Sequence, residues 1–73
     1  MTTIERTPVA SSNLASIGYD EAARTLSVEF RSGAIYHYFD VPWCVYEQLM
    51  KARSHGEYFC NTIREAYRYA RVL

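Results

Sequence analysis

Hydrophobic and polar residues alternate along the first half of the chain, as they do in β-strands. Over Thr25–Arg31 every second residue is apolar, from Leu26 to Phe30, and the residues between them are polar. A period of two predicts a strand with one buried face. Leu14–Asp20 also resembles a strand, and Ala34–Phe39 is rich in aromatic and β-branched residues, so the pattern predicts three strands joined by short turns.

The spacing of apolar residues changes after the third predicted strand. Residues 40–42 end the sheet and begin a helix, with Asp40 as its cap and Pro42 in its first turn. Residues 54–56, Ser-His-Gly, interrupt that helix, because they contain both a serine and a glycine. A second helix is predicted over residues 57–72, because its apolar side chains recur at helical spacing.

These elements predict an α+β domain, namely a three-stranded antiparallel β-meander followed by two α-helices packed on one face. Residues 13–73 are assigned to this single domain. Residues 1–12 are mostly polar and show no periodicity, so we expect them to form a flexible N-terminal lead-in.

The turn at Gly33 leaves the register of the third strand open. An even loop would place Phe30 opposite Ile35, whereas an odd loop with a bulge would place it opposite Tyr36 and turn Tyr36 and Tyr38 toward the helices. We favour the odd loop, because a bulge uses the freedom of glycine at positive φ and a tyrosine pair fills a helix-covered sheet well.

Size and composition limit the functions that the chain can have. A domain of 73 residues buries only about 60% of the surface of its unfolded chain. Few residues are then available to enclose the deep pocket that an enzyme usually needs. The net charge is zero but uneven: three basic residues against six acidic ones give −3 in residues 1–50, and five against two give +3 in residues 51–73. The seven tyrosines are suited to interfaces, because each apolar ring carries a polar tip. We therefore expect a binding protein and not an enzyme.

Candidate catalytic and metal-binding residues form no recognised pattern. A zinc site could draw only on His37, Cys44, His55 and Cys60, and their spacing matches no common set of zinc ligands. A Cys60 nucleophile activated by His55 would need an orienting group and an oxyanion hole, and no motif supplies them. We expect no cofactor, no metal and two reduced cysteines. Because the chain shows neither an apolar leader nor an apolar run of about 18 residues, we expect a cytoplasmic protein without a membrane partner.

Arginine and tyrosine residues mark the candidate binding surface. Arg64, Arg68 and Arg71 recur at i, i+4 and i+7, so they form one cationic ridge on the predicted second helix. Such a ridge can bind the phosphates of a nucleic acid, bind an acidic protein surface, or be merely solvated. The predicted partner-binding residues are those of the ridge, three tyrosines and one arginine of the lead-in: Arg64, Arg68, Arg71, Tyr58, Tyr36, Tyr38 and Arg6.

A series of short motifs spans nearly the whole chain. In order, the motifs are Ser11-Ser12, Gly18-Tyr19-Asp20, Leu26-x-Val28-x-Phe30, Gly33, Tyr36-x-Tyr38, Val41-Pro42, Tyr46-x-x-Leu49, Ala52-x-Ser54-x-Gly56, Tyr58-Phe59, Asn61 and Ile63-Arg64. In this order they resemble the KTSC domain, which is named for its occurrence at the C-terminus of some lysyl-tRNA synthetases. The resemblance implies a small non-catalytic module that binds another macromolecule, with RNA as one candidate.

Within that family the chain resembles small transcription regulators of phages that infect bacteria. This resemblance implies binding to the two large catalytic subunits of bacterial RNA polymerase, inhibition of initiation through the σ-factor holoenzyme or the promoter complex, and antitermination. The protein would act as a monomer in the host cytoplasm. The alternative is an RNA-binding accessory module, in which Arg64, Arg68 and Arg71 hold phosphates and Tyr36 or Tyr38 stacks on bases.

Overall fold

A five-stranded antiparallel sheet with two helices on one side makes up the computed structural model, which describes residues 4–73. The strands are β1 (Thr7–Pro8), β2 (Leu14–Asp20), β3 (Thr25–Phe30), β4 (Ile35–Tyr38) and β5 (Tyr69–Arg71). The helices are α1 (Trp43–Lys51) and α2 (His55–Tyr58), and α2 continues into one π-helical turn over Phe59–Ile63. The strands are neighbours in chain order, and the predicted α+β class is confirmed.

The sheet has two strands more than the three-stranded meander that the sequence predicts. The first of them, β1, lies inside the predicted lead-in of residues 1–12 and pairs with β2, with Thr7 opposite Ile17 and Pro8 opposite Ser16. Proline lacks an amide donor, which an edge strand tolerates. Residues 1–3 of the lead-in lie outside the described residues.

The predicted second helix over residues 57–72 is wrong in its second half. Helical structure ends with the π-helical turn at Ile63, after which the chain returns to the sheet. Phe59 and Ile63 are buried, as the helical stripe predicts, but Ala66 and Ala70 are exposed. Two alanines bury too little apolar surface to hold two more turns of helix on the core.

The strand β5 forms in place of those turns and completes the sheet. Tyr69 lies opposite Tyr38, and Arg71 lies opposite Tyr36. Backbone hydrogen bonds extend this pairing to Arg68 before β5 and to Val72 and Leu73 after it. The pairing satisfies amide and carbonyl groups of β4 that would otherwise form an open edge.

The β3–β4 hairpin has a three-residue loop, so the favoured odd loop is confirmed. Gly33 takes a φ of 98°, and the Phe30 amide closes the loop with a 2.9 Å hydrogen bond. Because Val28 lies opposite Tyr36, Phe30 is diagonal to Tyr36 and not directly opposite it as predicted. The register turns Tyr36 and Tyr38 toward the helices, as expected from an odd loop.

The core lies between the sheet and the helices. Leu49 from α1 and Phe59 and Ile63 from the π-helical turn pack against the side chains of β2, β3 and β4. The fully or almost fully buried members of this core are Leu14, Ile17, Leu26, Val28, Tyr38, Val41, Leu49, Phe59 and Ile63.

The start of α1 differs from the prediction that Asp40 caps it. Pro42 occupies the N-cap position, and the Asp40 carboxylate instead accepts a 3.1 Å hydrogen bond from Arg68. At the other end of α1, His55 Nδ1 donates to the Leu49 carbonyl oxygen over 2.8 Å. Within residues 4–73, neither helix is long and apolar enough to cross a membrane.

Candidate functional site

A groove of about 840 Å³ opens on the helix-facing side of the sheet, beside β4 and β5. Tyrosines of these two strands form its floor, and Phe30, Phe59 and the chain that follows the π-helical turn contribute to its walls. The groove exists because the C-terminal segment leaves its helix at Ile63 and joins the sheet. A longer helix would have covered this part of the sheet.

Three tyrosines form the floor of the groove. Alternation along β4 places Tyr36 and Tyr38 on the same face, and the β4–β5 register adds Tyr69 beside them. The ring centroids lie 6.5 Å apart for Tyr36–Tyr38, 5.8 Å for Tyr36–Tyr69 and 5.4 Å for Tyr38–Tyr69. We call Tyr36, Tyr38 and Tyr69 the tyrosine floor, and together they offer one continuous aromatic surface.

Tyr38 is the buried member of the tyrosine floor, with an exposed fraction of 3%. None of the described residues forms a hydrogen bond with its hydroxyl, and Tyr38 is among the residues that line the groove. Burial raises the pKa of Tyr38 to about 12, the neighbouring Tyr69 and Tyr36 add to the rise, and Arg64 opposes it. The hydroxyl is therefore a neutral donor throughout the neutral pH range.

Three arginines lie around the tyrosine floor. Arg31, Arg64 and Arg71 all line the groove, against a single carboxylate, that of Glu65. The Arg71 Nε donates to the Leu73 carbonyl over 3.0 Å, and the Arg31 Nε also donates to a backbone carbonyl over 3.0 Å. These bonds orient the guanidinium groups of Arg31 and Arg71 at the groove. We call Arg31, Arg64 and Arg71 the rim arginines.

Comparison with known proteins assigns this fold to a family. The profile of the KTSC domain matches residues 10–69. The chain belongs to the KTSC domain family. A KTSC domain protein from Yersinia pestis, known from a crystal structure, is 34% identical and superposes with a TM-score of 0.93 over 97% of this chain and 100% of that chain.

Relatives of this KTSC domain occur in two settings. An uncharacterized protein of Stutzerimonas stutzeri is 41% identical over 70 residues, which are 94% of this chain and 99% of that protein. A lysine–tRNA ligase of Trichormus variabilis is 41% identical over 54 residues, which are 74% of this chain but only 10% of the ligase. The predicted family is confirmed, whereas the narrower resemblance to phage transcription regulators gains no support from these relatives.

The KTSC fold brings four of the seven predicted binding residues together. Arg64, Arg71, Tyr36 and Tyr38 all line the groove. The predicted helical ridge does not bring them together. Arg64 directly follows the π-helical turn, and Arg71 lies on β5, opposite Tyr36.

The other three predicted residues lie outside the groove. Arg68 precedes β5 and forms an exposed ion pair with Asp40 at 3.1 Å. Tyr58 lines a separate shallow depression together with Arg53. Arg6 contacts the opposite face of the sheet. The prediction of one helical ridge built from Arg64, Arg68 and Arg71 is therefore wrong.

Arg6 anchors the N-terminal segment to that opposite face. Its Nε donates to Ser16 Oγ over 3.2 Å, its Nη1 donates to Ser27 Oγ over 3.3 Å, and Ser16 Oγ in turn donates to Glu29 Oε1 over 2.7 Å. Burial lowers the pKa of the neighbouring His37, and the Arg6 charge lowers it further. Arg6 thus makes internal hydrogen bonds on this face and lies apart from the groove.

Gly18 allows the N-terminal segment to lie directly on β2. Any side chain at this position would overlap the backbone carbonyl of Glu5. Glycine permits such a close approach because it has no Cβ. The contact fixes the path of the chain that carries Arg6.

Among the tyrosine floor and the rim arginines, two residues are not singled out as partner-binding by the sequence analysis, namely Tyr69 and Arg31. A signal for Tyr69 exists, because Tyr67, Tyr69 and Arg71 recur with the period of a strand. The helical stripe that begins at Phe59 competes with this signal over the same residues. Arg31 follows β3 and reaches the groove only through the tertiary fold.

The cysteines and histidines do not form a shared site. Cys44 and Cys60 are both exposed free thiols, and the Nδ1 of His55 is occupied by the carbonyl at the end of α1. In the part of the chain from residue 4 onward, no three side chains of His, Cys, Asp or Glu lie close enough to hold a metal ion.

Proposed function

We propose that this KTSC domain binds single-stranded RNA in the groove beside β4 and β5. The observation that carries the proposal is the tyrosine floor enclosed by the rim arginines. Unpaired bases stack on aromatic side chains, and guanidinium groups bind phosphates. The groove offers both kinds of contact on one face of the sheet.

Tyr36 and Tyr69 are the residues that would stack on bases. Tyr69 is 58% exposed, and its ring centroid lies 5.8 Å from that of the half-buried Tyr36. Stacking of a base on an aromatic side chain contributes about 1–3 kcal/mol. Every base has a π-face, so these rings support binding to many sequences.

The positive charge needed for RNA is local to the groove. The whole chain has no net charge, whereas the three rim arginines outnumber the one side-chain carboxylate that lines the groove, that of Glu65. Each phosphate of a single strand that a protein neutralises contributes about −0.7 to the slope of log affinity against log salt. Three arginine–phosphate contacts therefore predict a slope of about −2.

The ligase relatives are in keeping with an RNA partner. The lysine–tRNA ligases of Trichormus variabilis and of a Nostoc strain carry a segment 41% and 43% identical to this domain. The segment is 10% of each ligase, and their name states that these enzymes act on tRNA. A small domain that holds an unpaired RNA strand would suit that setting.

Fluorescence anisotropy with a labelled oligouridine of about eight nucleotides tests the proposal. We expect binding at about 50 mM salt that weakens steeply by about 200 mM. The double variant Arg64→Ala/Arg71→Ala should bind about tenfold more weakly, with a salt slope reduced by about 1.4.

Arg53→Ala is the matched control for this experiment. It also removes an exposed arginine, but from the separate depression beside Tyr58. We expect this variant to bind oligouridine as the wild type does. Lack of wild-type binding at about 50 mM salt, or an equal loss of affinity in Arg53→Ala, would overturn the proposal.

A second candidate is the predicted binding to the large subunits of bacterial RNA polymerase. One observation favours it, because the groove exposes arginine and tyrosine, which are residue types enriched at protein interfaces. Retention of a purified bacterial polymerase by the immobilised domain at low micromolar concentration, lost in Arg64→Ala/Arg71→Ala, would support it. Absence of retention would remove this candidate.

A further inference from the structure

The Tyr38 hydroxyl is a polar group at the groove that the domain itself does not use. Its side chain is 3% exposed, and no described residue forms a hydrogen bond with the hydroxyl. The hydroxyl is not a fully buried polar atom without a partner, so water can serve it in the free domain, and a ligand that displaces this water must replace its hydrogen bond. Because Tyr38 lines the groove, a bound ligand is positioned to supply that hydrogen bond.

The surroundings of Tyr38 indicate which part of an RNA ligand reaches it. The rings of Phe59 and Tyr69 flank Tyr38 with centroids at 5.2 Å and 5.4 Å. A phosphate is anionic and strongly hydrated, so moving it onto this aromatic floor is costly, whereas the rim arginines can bind it at the exposed edge. A base is neutral and flat, and it can enter the floor at much lower cost.

We propose that Tyr38 reads the edge of an unpaired base, with its hydroxyl donating a hydrogen bond to an acceptor atom such as a uracil carbonyl oxygen. This inference rests on the proposed function and assigns separate roles within the groove. Tyr36 and Tyr69 stack on bases, the rim arginines hold phosphates, and Tyr38 is the residue that senses the base itself.

The variant Tyr38→Phe tests this role because it removes the hydroxyl and keeps the ring. We expect the variant to bind oligouridine about threefold to tenfold more weakly than the wild type does. The salt slope should stay the same, because no phosphate contact is lost. Binding of an abasic oligonucleotide of the same length should be equal for the two proteins, because it offers no base acceptor.

Two controls make the result specific. Tyr46→Phe deletes the same hydroxyl from a tyrosine that stacks on Tyr19 with centroids 5.1 Å apart, outside the groove, and oligouridine affinity should be unchanged. Tyr38→Phe removes no hydrogen bond between described residues, so its midpoint of thermal unfolding should equal or exceed that of the wild type.

The outcomes separate this inference from the proposed function. If the wild type does not bind oligouridine, RNA binding fails and the role of Tyr38 fails with it. If the wild type binds and Tyr38→Phe binds equally well, only the role of Tyr38 is overturned. An equal loss of affinity for oligouridine and for the abasic strand would also overturn it, because the hydroxyl would then contact the backbone.

Discussion

The helix-facing side of the sheet has two halves. Side chains alternate along the strands in both halves, but the helices cover only one of them. Under the helices, Leu14, Ile17, Leu26 and Val28 of β2 and β3 are completely buried. Beyond them, β4 and β5 carry the tyrosine floor, and Tyr69 is 58% exposed. The same alternation of side chains therefore builds a core where helices cover the sheet and a candidate binding surface where they do not.

The largest expected effect is the loss of stability in Phe59→Ala. Phe59 lies at the border between the two halves, is 2% exposed and packs edge-on against Phe30 and Tyr38. Truncation of a buried phenylalanine costs about 3–5 kcal/mol, because it removes apolar burial and leaves a cavity. Urea unfolding followed by circular dichroism measures this loss of unfolding free energy.

Tyr69→Ala in the uncovered half is the matched comparison for Phe59→Ala. It deletes an aromatic ring of similar size from an exposed position, so we expect a change in unfolding free energy of about 0.5 kcal/mol or less. Equal losses in the two variants would show that β5 contributes to the core as much as the π-helical turn does, and the distinction between the two halves would fail.

A smaller effect is expected from Arg68→Ala, which breaks the ion pair with Asp40 just before β5. Both side chains are largely exposed, at 80% and 74%, so the 3.1 Å contact contributes about 0–1 kcal/mol. The loss should shrink further in about 1 M salt, because salt screens exposed charges. A larger loss that persists in salt would show that side chains, and not the backbone pairing with β4, hold β5 in place.

The smallest expected effect is a pH dependence from His37, which lies behind the uncovered half. Its pKa in the folded protein is below the ordinary value of about 6.5, so the folded state binds the proton less tightly than the unfolded chain does. Stability from this group is complete above about pH 6.5 and is lost as the pH falls through the folded pKa. Urea midpoints at several pH values should decline less on acidification in His37→Gln than in the wild type. A steeper decline in the variant would contradict the role given to burial and to Arg6.

The central strands and the first helix could be predicted because their signals are local. Alternation over β3 and β4 shows which residues face the core, and Gly33 marks the turn. Two residues are too few to show a period, so β1 carries no such signal. β5 forms by pairing with the edge of β4. This pairing joins distant parts of the chain, so no local pattern reveals it.

The candidate site was predictable in part of its residues but not in its arrangement. Arg64 and Arg71 both line the groove and so share one surface. Arg68 does not join them, because the segment predicted as a helix is partly a strand. On β5, Tyr69 and Arg71 face the groove together, whereas Arg68 precedes the strand and pairs with Asp40. The difference between periods of 2 and 3.6 therefore decides which arginines belong to the site.

The close approach of Glu5 to Gly18 has a consequence for how KTSC sequences can diverge. A larger residue at position 18 can be accepted only by a descendant whose N-terminal segment has withdrawn from β2. Replacement of that glycine and loss of the Arg6 anchor should therefore occur together within a lineage. A family member with a bulky residue at this position would be recognisable from its sequence as a four-stranded variant whose β2 edge is free to accept another strand.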